Sequence, residues 1–502
     1  MSPPFKSHPV EFNQHLLFPT NIFDLLASDH ECYLYRDLFE QLDTSEIEKN
    51  YSPKGQHAYH PLLIVSILIY AYSRGVFSSR EIERRCNEDL SFLYIAQMNC
   101  PNFRVLSDFR KDNAAFFLDC FKQTVKLAMG LKLASLGHIS LDGSKFQADS
   151  SKHKAMSYQR LKEKEQVLTD EIDALIAQAS RCDAEEDRAY QDRTGYEIPE
   201  DLKHKETRLA QIKDAKAALE KREEALNPGQ PIEDKKQISF ADTDARIMGK
   251  KGDFDYRYNA QISVDEDHQI IVGQHLTQNA NDKMEVKAAL DNVQDTTGTL
   301  PDKLSADNGY LSGDNLEDLE ESGIDAYIAT DKGEKKNKVS LEDCDRRLSK
   351  ADFDYNETDN TFACPGGQIL EMKQETKAGK RVYQGDAQVC AGCIYQSRCC
   401  QSSQGEARTI STDNKEPLRQ HMHAKMEEDD SKIIYKQRKV IVEPVFGHIK
   451  NSGFRRFSVR GKDKTAGEFS LVCATHNFKK MARSIIKGVV CPEFLKVAPN
   501  PA

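Results

Sequence analysis

The sequence predicts a mixed α/β fold: one sheet, drawn from segments far apart in the chain, with a helical N-terminal stretch and large insertions. Three patterns predict it. Short strand patterns recur at residues 137–144, 254–264, 269–277, 300–306 and 325–329. Helix-forming sequence fills residues 55–132 and 156–227. A polar, Gly-rich stretch between residues 364 and 400 carries five cysteines. The order is strand, hairpin, helix-linked strand, helix, strand, which excludes a barrel of regular βα units.

Each element has its own signal. Residues 61–72, PLLIVSILIYAY, read as one buried helix. Ser78-Ser79-Arg80-Glu81 has the form of a capping box and predicts a second helix through about Ile95. Asn102 to Arg110 opens a third, long helix. Short helices with exposed arginines suit a helix-turn-helix-like module and equally an ordinary bundle. Leu161, Leu168 and Leu175 repeat every seven residues, as do Leu202 with Leu209 and Leu219 with Leu226. With Gly195 and Pro199 as breakers between the arms, this predicts an inserted antiparallel helical hairpin that acts as a spacer. FDYRYNAQISV and QIIVGQHLT, joined at residues 265–268, predict a β-hairpin. Ser312 to Asn315 predicts a helix cap before the last strand.

Composition narrows the class. A chain of 502 residues at roughly 100–200 per domain suggests two to four domains. With 39% hydrophobic residues it is not wholly disordered. The longest apolar run is about a dozen residues, short of the ~20 a bilayer span needs, so no membrane is expected. MSPPFKSHPVEF lacks a basic start followed by an apolar stretch, so a cytoplasmic chain with reduced cysteines is expected. The net charge of −10 argues against a wholesale nucleic-acid coat. That sum conceals two basic segments. Residues 432–487 hold fourteen Lys or Arg against three acids, and residues 51–132 hold eleven against seven. The stronger one is interleaved with Tyr435, Phe446, Phe454 and Phe457, which favours a phosphate-binding surface over a merely solvated face.

Three acids stand out. Asp142 and Asp307 each close a predicted strand beside a glycine, where a carboxylate reaches a cleft; each taken alone is an ordinary turn residue. Glu443 is the only acid between Lys432 and Arg460. Two Asp and one Glu are the hard oxygen donors that Mg²⁺ takes in two-metal phosphodiester cleavage. His448 lies five residues past Glu443, off its helical face, and is given no catalytic part.

In this order, these segments resemble the DDE transposases of bacterial insertion sequences, in the branch with a Tyr-Arg-Glu-Lys signature around the third acid. That signature is carried here by Tyr435, Arg438, Glu443 and Lys450. The first acid matches in LDGSK and the second in ADNGY. HPLLIVSILIYAYSRGVFSSREIE and PNFRVLSDFR are similar to the family's InsH-like leader domain. The resemblance implies a ribonuclease H-like catalytic core from residues 133–155, 228–332 and 426–487. It further implies a helical DNA-binding domain over 1–132, an inserted hairpin over 156–227, a Cys-rich insertion over 333–425 and a flexible tail over 488–502. Asp142, Asp307 and Glu443 would bind two Mg²⁺ or Mn²⁺ ions. Tyr435, Arg438, Lys439, Lys450, Arg455, Arg456 and Arg460 would contact DNA. The implied partners are double-stranded DNA, as terminal inverted repeats and target, and further copies of the chain on DNA, near the nucleoid. Two rivals share these residues: a nuclease that does not join strands, and a transposase-derived DNA-binding protein that does not cut.

The cysteines form a separate pattern. Cys390-Ala391-Gly392-Cys393 is a C-x-x-C knuckle, and Cys364 precedes Pro365-Gly366-Gly367. With Cys399 as fourth ligand, and Cys400 as the alternative, they predict a structural zinc site. A polar segment poor in large apolar residues is expected to need such a staple. The competing reading is reduced, unliganded cysteine. Cys32, Cys86, Cys100, Cys120, Cys182, Cys344, Cys473 and Cys491 are scattered and read as packing or incidental residues.

Overall fold

The computed structural model describes residues 21–52, 58–150, 155–189, 200–249, 252–330, 346–376, 379–400 and 406–493. The first twelve residues, the breakers Gly195 and Pro199, Cys344, and the tail beyond 493 lie outside them, as do the side chains of Cys182 and Leu202. The chain divides into two units, Met1–Ser107 with Cys491–Ala502, and Asp108–Val490.

In the first unit α1 (Glu31–Phe39), α2 (Ser45–Glu48), α4 (Ser79–Glu88) and α5 (Leu90–Ile95) accompany a central helix, α3 (Pro61–Ser73). His60 starts α3 by accepting from the Leu62 amide, with Pro61 at the first turn. All but one of its residues are buried, as the all-round apolar sequence requires. Tyr70 packs edge-on to Tyr35 and Phe92. The single helix expected from Ser79 to Ile95 is two. Asp89 leaves helical conformation and its carboxylate caps the Ser91 amide at 2.9 Å, starting α5. Ser78 makes no side-chain cap, so the predicted capping box does not form. Arg80 and Arg104 both lie over the Phe103 ring. The third helix is likewise divided at Asn113, into α6 (Phe103–Asp112) and α7 (Ala114–Gly130).

The second unit is built on a six-stranded sheet: β1 (His138–Gln147), β4 (Arg246–Met248), β5 (Asp255–Asp265), β6 (Ile271–Thr277), β7 (Lys303–Ala306) and β8 (Asp325–Ile328). β1 is central, antiparallel to β5 and parallel to β7, which is parallel to β8. β6 and the short β4 both pair with β5. α10 (Val286–Thr297) joins β6 to β7, and α11 (Gly313–Glu321) joins β7 to β8. Ser312 caps α11 as expected.

Two excursions leave this sheet. β2 (Ala155–Ser157), α8 (Tyr158–Ala189), α9 (Glu200–Leu226) and β3 (Gln237–Ser239) form the first. Leu161, Leu168, Ile212, Ala215 and Leu219 make its seam, and the ion pair of Lys216 with Glu165 spans it at 2.8 Å. Leu226, expected in the seam, is exposed, because the helix ends there. The second carries the cysteines: β9 (Asp354–Asn356), β10 (Thr361–Ala363), β11 (Ile369–Glu375), β12 (Lys380–Gln384), α12 (Ala387–Ala391), α13 (Gln396–Cys399) and β13 (Thr409–Asp413). Its five strands run in the order β13-β12-β11-β10-β9. This sheet was not expected. Leu348, Phe353, Phe362, Leu370, Tyr383 and Ile410 give it an apolar core of its own, so the premise that the segment needs a staple is corrected.

The chain closes through α14 (Glu416–Glu427), α15 (Asp429–Ile441), α16 (Glu443–Asn451) and α17 (Lys462–Ile486). α17 packs against α7 and β6. A Cβ on Gly467 would lie 2.5 Å from Ala114 Cα, so only glycine admits this approach. Asn477 accepts from the Ile271 amide and donates to the Ile271 carbonyl, both at 2.9 Å, satisfying part of the open edge of β6. Among the described residues no helix is long and apolar enough to cross a membrane.

Candidate active site

Asp142 was expected at the end of a strand, but β1 continues five residues beyond it. Gly143 and Ser144 look like a turn in sequence, yet they pair with Gln261 and Ala260 of β5. What ends is the partner on the other side. The β1–β7 register stops at Leu141 opposite Ala306, so Asp142 stands where β1 loses its parallel neighbour. Asp307 directly follows Ala306, which brings both aspartates to the point where the β1–β7 pairing ends. The Asp307 carboxylate turns back to accept from the Gly309 amide at 2.7 Å.

Glu443 comes from a helix junction. α15 ends at Ile441, Val442 makes the break, and Glu443 with Pro444 opens α16. The junction sets Arg438 of α15 beside Glu443, with Nη1 3.3 Å from Oε1. The same guanidinium reaches Asp142 Oδ1 at 2.9 Å and Asp307 Oδ2 at 3.9 Å through Nη2. Three carboxylates from three distant segments therefore meet one arginine. The Arg438 side chain is 9% exposed and Asp142 19%, whereas Asp307 and Glu443 are 46% and 48% exposed. The site thus has a buried floor and an open rim.

Burial raises the Asp142 carboxyl to about 6; Arg438 opposes this, while Asp307 and Asp282 add to it. Burial also raises the Tyr435 hydroxyl, with all three acids adding and Arg438 opposing. Lys450, on α16, donates to Ser144 Oγ at 2.5 Å and lies 5.3 Å from the Phe146 ring centre. Burial lowers its ammonium, and Asp142 opposes that shift.

Two Asp and one Glu are the donor set of a hard divalent cation, and the place they surround already accommodates a cation, the Arg438 guanidinium. Its Nε is buried with no hydrogen-bond partner among the described residues. Among the described residues no three His, Cys, Asp or Glu side chains are gathered closely enough to hold a metal ion.

The other basic residues are more dispersed. Lys439 and Arg455 are exposed. Arg456 and Arg460 pair with Asp149 at 2.8 and 2.6 Å while keeping about half of their side chains exposed. The interleaved phenylalanines are not surface residues. Phe446, Phe454 and Phe457 are buried, and all three pack around Phe146. Their spacing within the basic segment is core spacing, which corrects the phosphate-surface reading of those rings.

Sequence reasoning missed the polar residues behind the acids. Asn259 and Gln261 of β5 are fully buried, and each donates to Asp282 Oδ1 at 2.7 Å. Lys145 lies 3.5 Å from Asp282 Oδ2. The available signal was alternation: Arg257, Asn259, Gln261, Ser263 and Asp265 share one face of β5, opposite Tyr256, Tyr258, Ala260, Ile262 and Val264.

The cysteines line one hollow of about 460 Å³: Cys364, Cys390, Cys393, Cys399 and Cys400 all border it. The Gln368 amide donates to Cys364 Sγ at 3.3 Å and the Tyr395 amide to Cys393 Sγ at 3.4 Å. Burial pushes the Cys399 thiol up to about 12. All are free thiols, and no three of them are gathered as a tetrahedral zinc site requires. Cys32, Cys86, Cys120 and Cys473 are buried, Cys100 is half-buried and Cys491 is exposed, which fits scattered packing or incidental residues.

Two family models match the chain. Residues 363–482 match one described as Transposase DDE domain, a stretch that includes the five clustered cysteines, Arg438 and Glu443 but not Asp142 or Asp307. Residues 20–112 match one described as Transposase domain (DUF772). No curated protein matches. Both matched families are transposase domains, the first of the DDE type.

Proposed function

We propose that this chain binds the terminal inverted repeats of an insertion sequence, cuts the DNA there, and joins the freed ends to target DNA. The observation that carries this is the meeting of Asp142, Asp307 and Glu443 around Arg438. The strand order β6-β5-β1-β7-β8, with β5 alone running opposite to the other four, supports a ribonuclease H-like core. On this reading residues 1–132 bind DNA, and residues 156–227 and 333–425 interrupt the core.

Asp142, Asp307 and Glu443 would hold Mg²⁺ or Mn²⁺. Bound there, two such ions supply activation of the attacking hydroxyl and stabilisation of the leaving 3′-oxygen. The protein's own residues do the rest. Arg438 balances the charge of the three carboxylates. Lys450, fixed by Ser144, and Tyr435, still protonated at neutral pH, hold backbone phosphate beside the acids. Lys439, Arg455, Arg456 and Arg460 extend the contact along the duplex. Both DNA ends must meet for joining, so the chain works as a homo-oligomer on DNA. The cysteine hollow is proposed to take one structural zinc.

The test is a labelled duplex carrying the element's terminal repeat, incubated with protein and either Mg²⁺ or EDTA. Asp307→Asn and Glu443→Gln should abolish nicking and leave repeat binding nearly intact. Loss of binding in step with loss of cutting would refute the catalytic assignment. Nicking without strand joining on paired ends would leave a nuclease, and specific binding without any nicking a DNA-binding protein.

A further inference from the structure

Asp282 lies in the loop between β6 and α10, outside the three acids. Its side chain is 17% exposed and sits between the two glycines that follow the aspartates. A Cβ on Gly143 would be 3.0 Å from Asp282 Oδ1, and a Cβ on Gly309 would be 3.5 Å from its Oδ2. Oδ1 accepts from Asn259 Nδ2 and Gln261 Nε2, both at 2.7 Å, and Oδ2 faces Lys145 at 3.5 Å.

A carboxylate can only accept, so it dictates the orientation of what it binds. It takes the Nε2 end of the Gln261 amide. The Oε1 end is thereby turned to the Tyr310 hydroxyl, which donates to it. Tyr310 is fully buried and ends the short 3₁₀ turn, Asn308–Tyr310, that follows Asp307. In that turn the Gly309 amide donates to Asp307 Oδ1, leaving Oδ2 to face Arg438. The chain of contacts runs from Asp282 through Gln261 and Tyr310 to the Asp307 carboxylate. Each link fixes the direction of the next.

We propose that Asp282 is a positioning residue of the active site, which aims the Asp307 carboxylate by locking Gln261 and, through it, the Tyr310 turn. This rests on Asp307 acting in strand cleavage. Asp282 touches no substrate in this scheme. It holds geometry, and side chains that orient reacting groups in this way typically carry 10–100-fold in activity.

The experiment measures nicking of the labelled repeat duplex at saturating DNA, together with duplex affinity and thermal midpoint, on the full chain. Asp282→Ala should slow nicking by about 10–100-fold while duplex affinity stays within about twofold. Asp282→Asn keeps an oxygen for both amides and should recover the rate to within about threefold of wild type. Tyr310→Phe removes only the hydroxyl at the far end of the chain and should slow nicking too. Combined with Asp282→Ala it should add little, because both break one path. This variant keeps the proposal open to refutation should Asp282→Ala fail to fold. Full nicking by Asp282→Ala or Tyr310→Phe, with Asp307→Asn inactive, overturns the proposal alone. Additive losses, or equal losses of rate and affinity, overturn it as well. Undiminished nicking by Asp307→Asn would instead bring down the reading of the site itself.

Discussion

Arg438 is the residue on which the site turns. It is buried, always charged, and shared by three carboxylates that would otherwise repel one another. Replacing it with Met keeps its bulk and removes its charge. Removing one partner of a buried pair costs about 3–5 kcal/mol. Asp307 and Glu443 are half-exposed and screened by water, so a loss on the order of 1–3 kcal/mol is expected here. If the guanidinium fills the place divalent cations take, Mg²⁺ should restore part of that loss. Melting Arg438→Met in EDTA and in Mg²⁺ checks this. An identical deficit in both would show that arginine and metal do not share the place. The glycines beside the aspartates answer to space rather than backbone freedom. A Cβ on Gly143 would come within 2.4 Å of Gln261 Nε2.

Among the elements, α17 carries the clearest pH signature. His476 lies within it, and its Nε2 is 2.9 Å from the Gln269 carbonyl. Burial lowers its pKa to about 3, and Lys480, His448 and Lys479 act in the same direction. His448, stacked on it at 6.4 Å, is itself lowered by burial and by the neighbouring cations. An unfolded histidine takes a proton below about pH 6.5, and the folded one does not until about 3. The unfolded state therefore binds more protons in that window. Stability should fall as pH drops from about 6.5 toward 3, by at most about 1.4 kcal/mol per pH unit from this group. His476→Gln should flatten that slope in denaturant titrations run at several pH values. Parallel curves for the two proteins would contradict a neutral buried histidine.

At the scale of the whole molecule, the Cys-rich excursion decides between two ways of holding itself together. It has a five-stranded sheet and an apolar core, and its cysteines face one hollow without closing on a common point. If zinc is bound, the thiols must draw together. Full-length protein should then retain about one zinc per chain and melt lower with a chelator, and Cys393→Ser should release the metal. Metal-free protein with a melting point indifferent to chelator would leave the core as the only support.

Much of this was legible in local pattern, and what depends on distant contacts was not. The apolar run of α3, the β5–β6 hairpin and the helix cap at Ser312 are short-range signals, and each formed where its residues lie. Asp142, Asp307 and Glu443 could be singled out by their neighbours in sequence. That they face one arginine depends on the β1–β7 register and on the α15–α16 junction, which no local pattern encodes. The same limit hid Asp282, an ordinary loop acid until the sheet sets Gln261 and Asn259 beside it. It also misled on Phe446, Phe454 and Phe457, whose basic surroundings suggested a surface while the packing around Phe146 made them core. The sequence by itself determined the element types outside the Cys-rich excursion, the candidate acids and the helical hairpin, because these follow from periodicity and from residue chemistry. Only the tertiary structure decided which charges meet, which strand outlasts its neighbour and which polar groups lie buried behind the site. Those depend on contacts between residues tens to hundreds of positions apart.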